Sequence, residues 1–159
     1  MSRPSTPPAP ESPDRPDPGD QRYYDVAEAN AHVRQLSQLF ELVLELRMRI
    51  KQLVPPEEGK RRLAPPGVER SREPEEDRHL VRALVETLNE TTDQIAALGC
   101  VIKDVEIGLV DWPAWHDGRP IWLCWRFGEH EVGFWHDTDT GYAGRRPVAE
   151  LGVGEDPTR

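Results

Sequence analysis

At Gly99 the hydrophobic period of this 159-residue chain changes, and that change limits the folds open to it. Upstream, apolar residues recur at three- and four-residue spacing. Val26, Ala29, Val33, Leu36, Phe40, Val43 and Ile50 form one stripe, widened by Leu39, Leu46 and Leu53 and broken at Arg47. Val81, Leu84, Leu88, Thr91, Ile95 and Leu98 form another. Stripes of this spacing lie along one face of a helix. Downstream of Gly99 the pattern becomes strand-like, rich in β-branched and aromatic residues. A helix with a single apolar stripe cannot bury it alone. The expected fold is therefore α+β: a long antiparallel helical hairpin packed on one face of a small, mostly antiparallel sheet.

Local signals set the boundaries. Asp25 with Glu28 three residues on has the form of a capping box, Asp standing for Ser or Thr, and a short strand is expected just before it at Arg22-Tyr23-Tyr24. The spacing predicts a helix over 26–53, about 40 Å long at 1.5 Å per residue, stopped by Pro55-Pro56. Residues 55–74 are rich in charge, Pro and Gly, without a period, and read as a flexible connection. A second helix is expected over 75–98, with Glu75, Glu76 and Asp77 in its first turn, where the helix dipole favours acids, and Gly99 as a left-handed cap. The β region is expected over 100–137. Asp117-Gly118 is a type I′ turn signal, and a last hairpin is expected about Gly128-Glu129-His130. Residues 1–20 contain seven prolines and no large aliphatic side chain, so they are expected to be a disordered tail with polyproline character. The single domain then spans 21–147, with 148–159 as a C-terminal tail.

Charge narrows the partners. The formal net charge of −9 disfavours phosphate backbones, so no nucleic-acid partner is expected. The basic run Arg47, Arg49, Lys51, Lys60, Arg61 and Arg62 reads as a solvated helix end. No apolar run approaches membrane-spanning length and no signal pattern opens the chain, so no membrane partner is expected and the location is read as cytoplasmic. Two cysteines 24 positions apart form no CxxC pair and suggest a reducing compartment rather than a disulfide scaffold.

The stretch from Gly99 to Arg146 carries both cysteines, all five tryptophans and three of the five histidines. Cys100, Cys124 and His136 are a sound donor set for zinc or iron, with Asp104 or Asp111 as a fourth ligand or orienting group. The final hairpin's register decides whether they meet. A two-residue loop at Glu129-His130 sets Leu123 opposite His136 and puts Cys124 and His136 on opposite faces. A three-residue loop at Gly128-Glu129-His130 sets Phe127 opposite Glu131 and puts them on one face. The first register gathers Leu123, Trp125, Phe127, Val132 and Phe134 against the helices and is the one expected. A nucleophilic cysteine activated by Lys103, Arg126 or His136 lacks a local catalytic signature. Lys103, Asp104, Asp111, Glu129 and Asp137 are the candidates for acid–base chemistry. Gly141-Tyr142-Ala143-Gly144-Arg145-Arg146 has the composition of an anion-holding loop, with Arg145 as its candidate ligand.

On the outer face of the same sheet, Trp122 and Trp135 are expected to form an exposed aromatic platform flanked by Arg126 and Asp137, suited to stacking and cation–π contact. The leading reading is a non-catalytic binding or interaction module, without a cofactor, that takes a protein or small-molecule partner on this face and dimerises through its helices. The alternative is a small metal-binding protein or enzyme built on Cys100, Cys124, His136 and nearby carboxylates.

Several motifs carry a family resemblance. Tyr23-Tyr24-Asp25-Val26-Ala27-Glu28-Ala29-Asn30, Gly99-Cys100, Lys103-Asp104, Gly108-Leu109-Val110-Asp111-Trp112-Pro113 and Gly118-Arg119 resemble a bacterial domain-of-unknown-function family, number twenty-two-oh-three. So do Leu123-Cys124-Trp125, Gly128-Glu129, Trp135-His136 and the run from Gly141 to Arg145. The family usually has Phe where Trp112 stands, and often Leu-Pro where this chain has Ala31 to Arg34. The resemblance implies two helices followed by β-hairpins, and it implies no activity.

Overall fold

The computed structural model describes residues 21–54 and 74–152. The expectations for the proline-rich segment 1–20 and for the connection from Pro55 onward fall outside those residues. Among the described residues, three α-helices precede a five-stranded sheet: α1 Val26–Asn30, α2 Val33–Leu53 and α3 Pro74–Ala97, then β1 Val101–Asp104, β2 Leu109–His116, β3 Arg119–Arg126, β4 Phe134–Asp137 and β5 Arg146–Pro147. The strands pair in chain order, every neighbour antiparallel. The fold is thus α+β, with the two long helices as a hairpin.

The capping box forms in full: the Glu28 N–H donates to the Asp25 carboxylate, and the Glu28 carboxylate accepts from the Asp25 N–H. The helix expected to be continuous over 26–53 is divided at Ala31-His32. At the division, Asn30 Oδ1 accepts from the Val132 N–H at 2.6 Å, which ties the end of α1 to the loop between β3 and β4. The segment before α1 has no strand of its own, yet the Tyr24 N–H donates to the Pro113 carbonyl. Gly99 ends α3 at φ +86°, where a Cβ would overlap the Tyr24 ring. This is a left-handed cap that only glycine fills without strain.

The register sorts the sheet's side chains, because directly opposed residues share a face. Val110, Trp112 and Ala114 of β2, Ile121, Leu123 and Trp125 of β3, and Trp135 of β4 face the helices. They join Leu36, Phe40, Val43, Ile95 and Leu98 in one core. Trp112 also donates its indole N–H to the Leu98 carbonyl at 3.1 Å, pinning the sheet to the end of α3. Asp117 (φ 48°) and Gly118 (φ 74°) form the type I′ turn between β2 and β3.

The last hairpin differs from expectation. Cys124 lies opposite Phe134, Leu123 opposite Trp135 and Trp122 opposite His136. This ladder is the one a three-residue loop would extrapolate to. The connection between β3 and β4 nevertheless runs through residues 127–133. Its irregularity explains the register. Val132 and Trp135 are both buried in the core, three positions apart, which strict alternation forbids. The chain leaves the ladder to bury Val132 against Asn30 and re-enters it with Trp135 inward and Phe134 outward.

The sheet also continues past Asp137. A 3-10 turn at Tyr142–Gly144 leads into β5, and a second at Val148–Leu151 buries Leu151, a residue expected to lie in a tail.

Candidate functional site

Asp111, Cys124 and His136 meet on the sheet face turned away from the helices. Asp111 and Cys124 are cross-strand partners, and His136 reaches diagonally from β4 across β3. One donor atom from each lies within 4.8 Å of the others. All three are buried, at 1%, 0% and 3% exposure respectively.

The hydrogen bonding of this group is incomplete in an informative way. His136 Nδ1 lies 2.8 Å from the Asp137 carbonyl and Nε2 lies 2.8 Å from Asp111 Oδ2. Both neighbours are acceptors, so the ring donates through Nδ1–H, and one further proton lies between Nε2 and Oδ2. The other carboxylate oxygen, Asp111 Oδ1, is buried with no hydrogen-bond partner among the described residues. An orphaned carboxylate oxygen in such a place is costly.

Cys124 does not have the character of a nucleophile. Burial pushes its thiol up to about 12, the negative charge of Asp111 and the interaction with its carboxylate push the same way, and Arg145 opposes them. Neither ring nitrogen of His136 is left to deprotonate it. Cys100 lies elsewhere: its thiol donates to the Ile95 carbonyl at 3.3 Å within the core. Its pKa is also pushed up to about 12, chiefly by burial. The structure therefore unites Cys124 and His136 with Asp111, and it leaves Cys100 out of the group. Asp104 is also apart, its carboxylate accepting from the Glu106 and Ile107 N–H groups in the turn after β1.

The aromatic platform is not formed. Trp135 faces the helices and is 4% exposed, whereas Trp122 points to the opposite face. Asp137 pairs with Arg119, and Arg126 donates to the Tyr142 hydroxyl. The residue that places Trp135 inward is Val132, through the loop described above. Trp122 instead carries Lys103, whose Nζ lies 4.2 Å from the ring centroid.

Arg145 closes the other side of the site. Its Nη2 donates to the Glu129 carboxylate at 2.8 Å and to the Cys124 carbonyl at 3.5 Å. Its guanidinium lies 4.1 Å from the Phe134 ring centroid and 5.0 Å from that of Tyr142. Glu129 is itself fixed by the Arg126 N–H. The composition of the 141–146 loop pointed to Arg145. The partnership with Glu129, sixteen positions away, had no local signal.

No helix among the described residues is long and apolar enough to cross a membrane. Neither a curated protein nor a solved structure matches the chain. A family model does match, over residues 22–148, and it covers all three helices, the sheet and every residue of the buried cluster. The chain belongs to that family, described as Uncharacterized conserved protein (DUF2203).

Proposed function

We propose that this domain binds a divalent transition-metal ion, with Asp111, Cys124 and His136 as its protein ligands. The observation that carries the reading is the buried, unpartnered Asp111 Oδ1 beside an imidazole and a thiol. One sulfur, one nitrogen and one oxygen donor suit zinc and its neighbours better than magnesium or calcium, which prefer oxygen alone. Bonds of about 2.0–2.3 Å put tetrahedral ligand atoms about 3.3–3.8 Å apart. The 2.8 Å His136–Asp111 contact then opens slightly and the 4.8 Å span of the cluster closes. The ion displaces the proton between Nε2 and Oδ2 and the thiol proton of Cys124, while Nδ1–H keeps its bond to the Asp137 carbonyl and holds the ring's orientation.

The reading that centred on a tryptophan platform loses its support, because Trp122 and Trp135 lie on opposite faces. A titration of untagged protein with zinc against a chromophoric chelator tests the metal reading. Cys124→Ser is expected to weaken binding by at least about a hundredfold, and Cys100→Ala to leave it unchanged. Equal affinities for the wild type and Cys124→Ser would overturn the assignment.

A further inference from the structure

The three protein donors leave one position of a four-coordinate ion unfilled, the arrangement found where an exogenous ligand completes the centre. We propose that this position takes a small monoanion, held jointly by the metal and by Arg145. The inference rests on the metal reading and names what the site would bind beyond the ion.

Arg145 is the reason for an anion rather than a neutral ligand. Its side chain is 11% exposed and is fixed by Glu129, by the Cys124 carbonyl and by the Phe134 and Tyr142 rings. Its Nε is nevertheless buried and donates to nothing among the described residues. The site thus holds an unused donor at Arg145 Nε and an unused acceptor at Asp111 Oδ1, on either side of Cys124, which lies opposite Asp111 in the ladder and whose carbonyl accepts from Arg145 Nη2. The ion takes up the acceptor, and the donor then awaits an anionic partner, for which guanidinium is well suited.

The charges agree. A divalent ion is neutralised by the Cys124 thiolate and the Asp111 carboxylate, and Arg145 by Glu129. Lys103, over the Trp122 ring, adds a positive charge that no ion pair offsets among the described residues. Trp122 and Phe134 flank the site on the same face.

The test is an optical titration of the cobalt(II)-loaded full chain with thiocyanate. A thiolate-to-cobalt charge-transfer band reports that the metal is held by Cys124. A saturable shift of the visible d–d bands on adding thiocyanate reports the fourth ligand. Arg145→Gln is expected to keep the charge-transfer band and to weaken thiocyanate about tenfold or more, with Arg145→Lys falling between. A charge-transfer band whose d–d partners ignore thiocyanate in the wild type overturns the anion proposal and leaves the metal reading standing. The same holds if thiocyanate binds equally well to the wild type and to Arg145→Gln. Absence of the charge-transfer band overturns the metal reading and this inference with it.

Discussion

The Nε2 of His136 on β4 lies 2.8 Å from Oδ2 of Asp111 on β2, with β3 and its Cys124 between the two strands. The contact spans the sheet on the face away from the helices, and both side chains are almost wholly buried. Such a pair couples stability to the site, because removing one partner leaves the other buried without its complement.

His136→Asn is expected to destabilise the metal-free protein by about 3–5 kcal/mol. The double variant Asp111→Asn/His136→Asn is expected to lose less than the sum of the two single losses. Urea unfolding in the presence of a chelator measures the cycle. Additive single losses of under about 1 kcal/mol would mean that the contact contributes little.

The thiols set a pH dependence whose sign is fixed by their environment. In the folded protein both hold their protons up to about 12, against a reference of 9.0. Between those values the unfolded chain binds fewer protons than the folded one. The contribution is therefore fully present below pH 9 and is lost as pH rises toward 12. Each thiol adds a downward slope of up to about 1.4 kcal/mol per pH unit in that window. Unfolding at pH 8 and pH 10.5, for the wild type and for Cys100→Ala/Cys124→Ala with chelator present, isolates the effect. The wild type is expected to lose more stability than the double variant over this interval. Equal losses would mean that the thiols ionise freely in the fold.

Trp112 links packing to the helix end. Its indole N–H donates to the Leu98 carbonyl from a fully buried position. Trp112→Phe is expected to cost about 1–3 kcal/mol, since the carbonyl loses a buried partner and a small void opens. A melting temperature equal to that of the wild type would show that the surrounding residues re-form the contact.

The architecture was legible where a single rule acts locally. The stripes along α2 and α3, the capping box at Asp25, the turn at Asp117-Gly118 and the cap at Gly99 each follow from a few neighbouring residues. The site was legible only in part. Cys124, His136 and Asp111 were all among the candidates, but their meeting depends on a register that alternation alone predicts wrongly. The deciding contact, between Asn30 and Val132, joins residues 102 positions apart. The same contact holds the loop that precedes the inward-facing Trp135, and it sits at the division between α1 and α2. The Arg145–Glu129 pair is another long-range contact, built from two loops, and no periodic pattern encodes it.

The central claim is a resident metal ion on Asp111, Cys124 and His136, and elemental analysis of protein purified without a tag tests it most directly. About one transition-metal ion per chain is expected in the wild type and in Cys100→Ala, falling to a small fraction in Cys124→Ser and Asp111→Asn. Folded wild-type protein that carries no such metal and takes up none from added zinc would contradict the account.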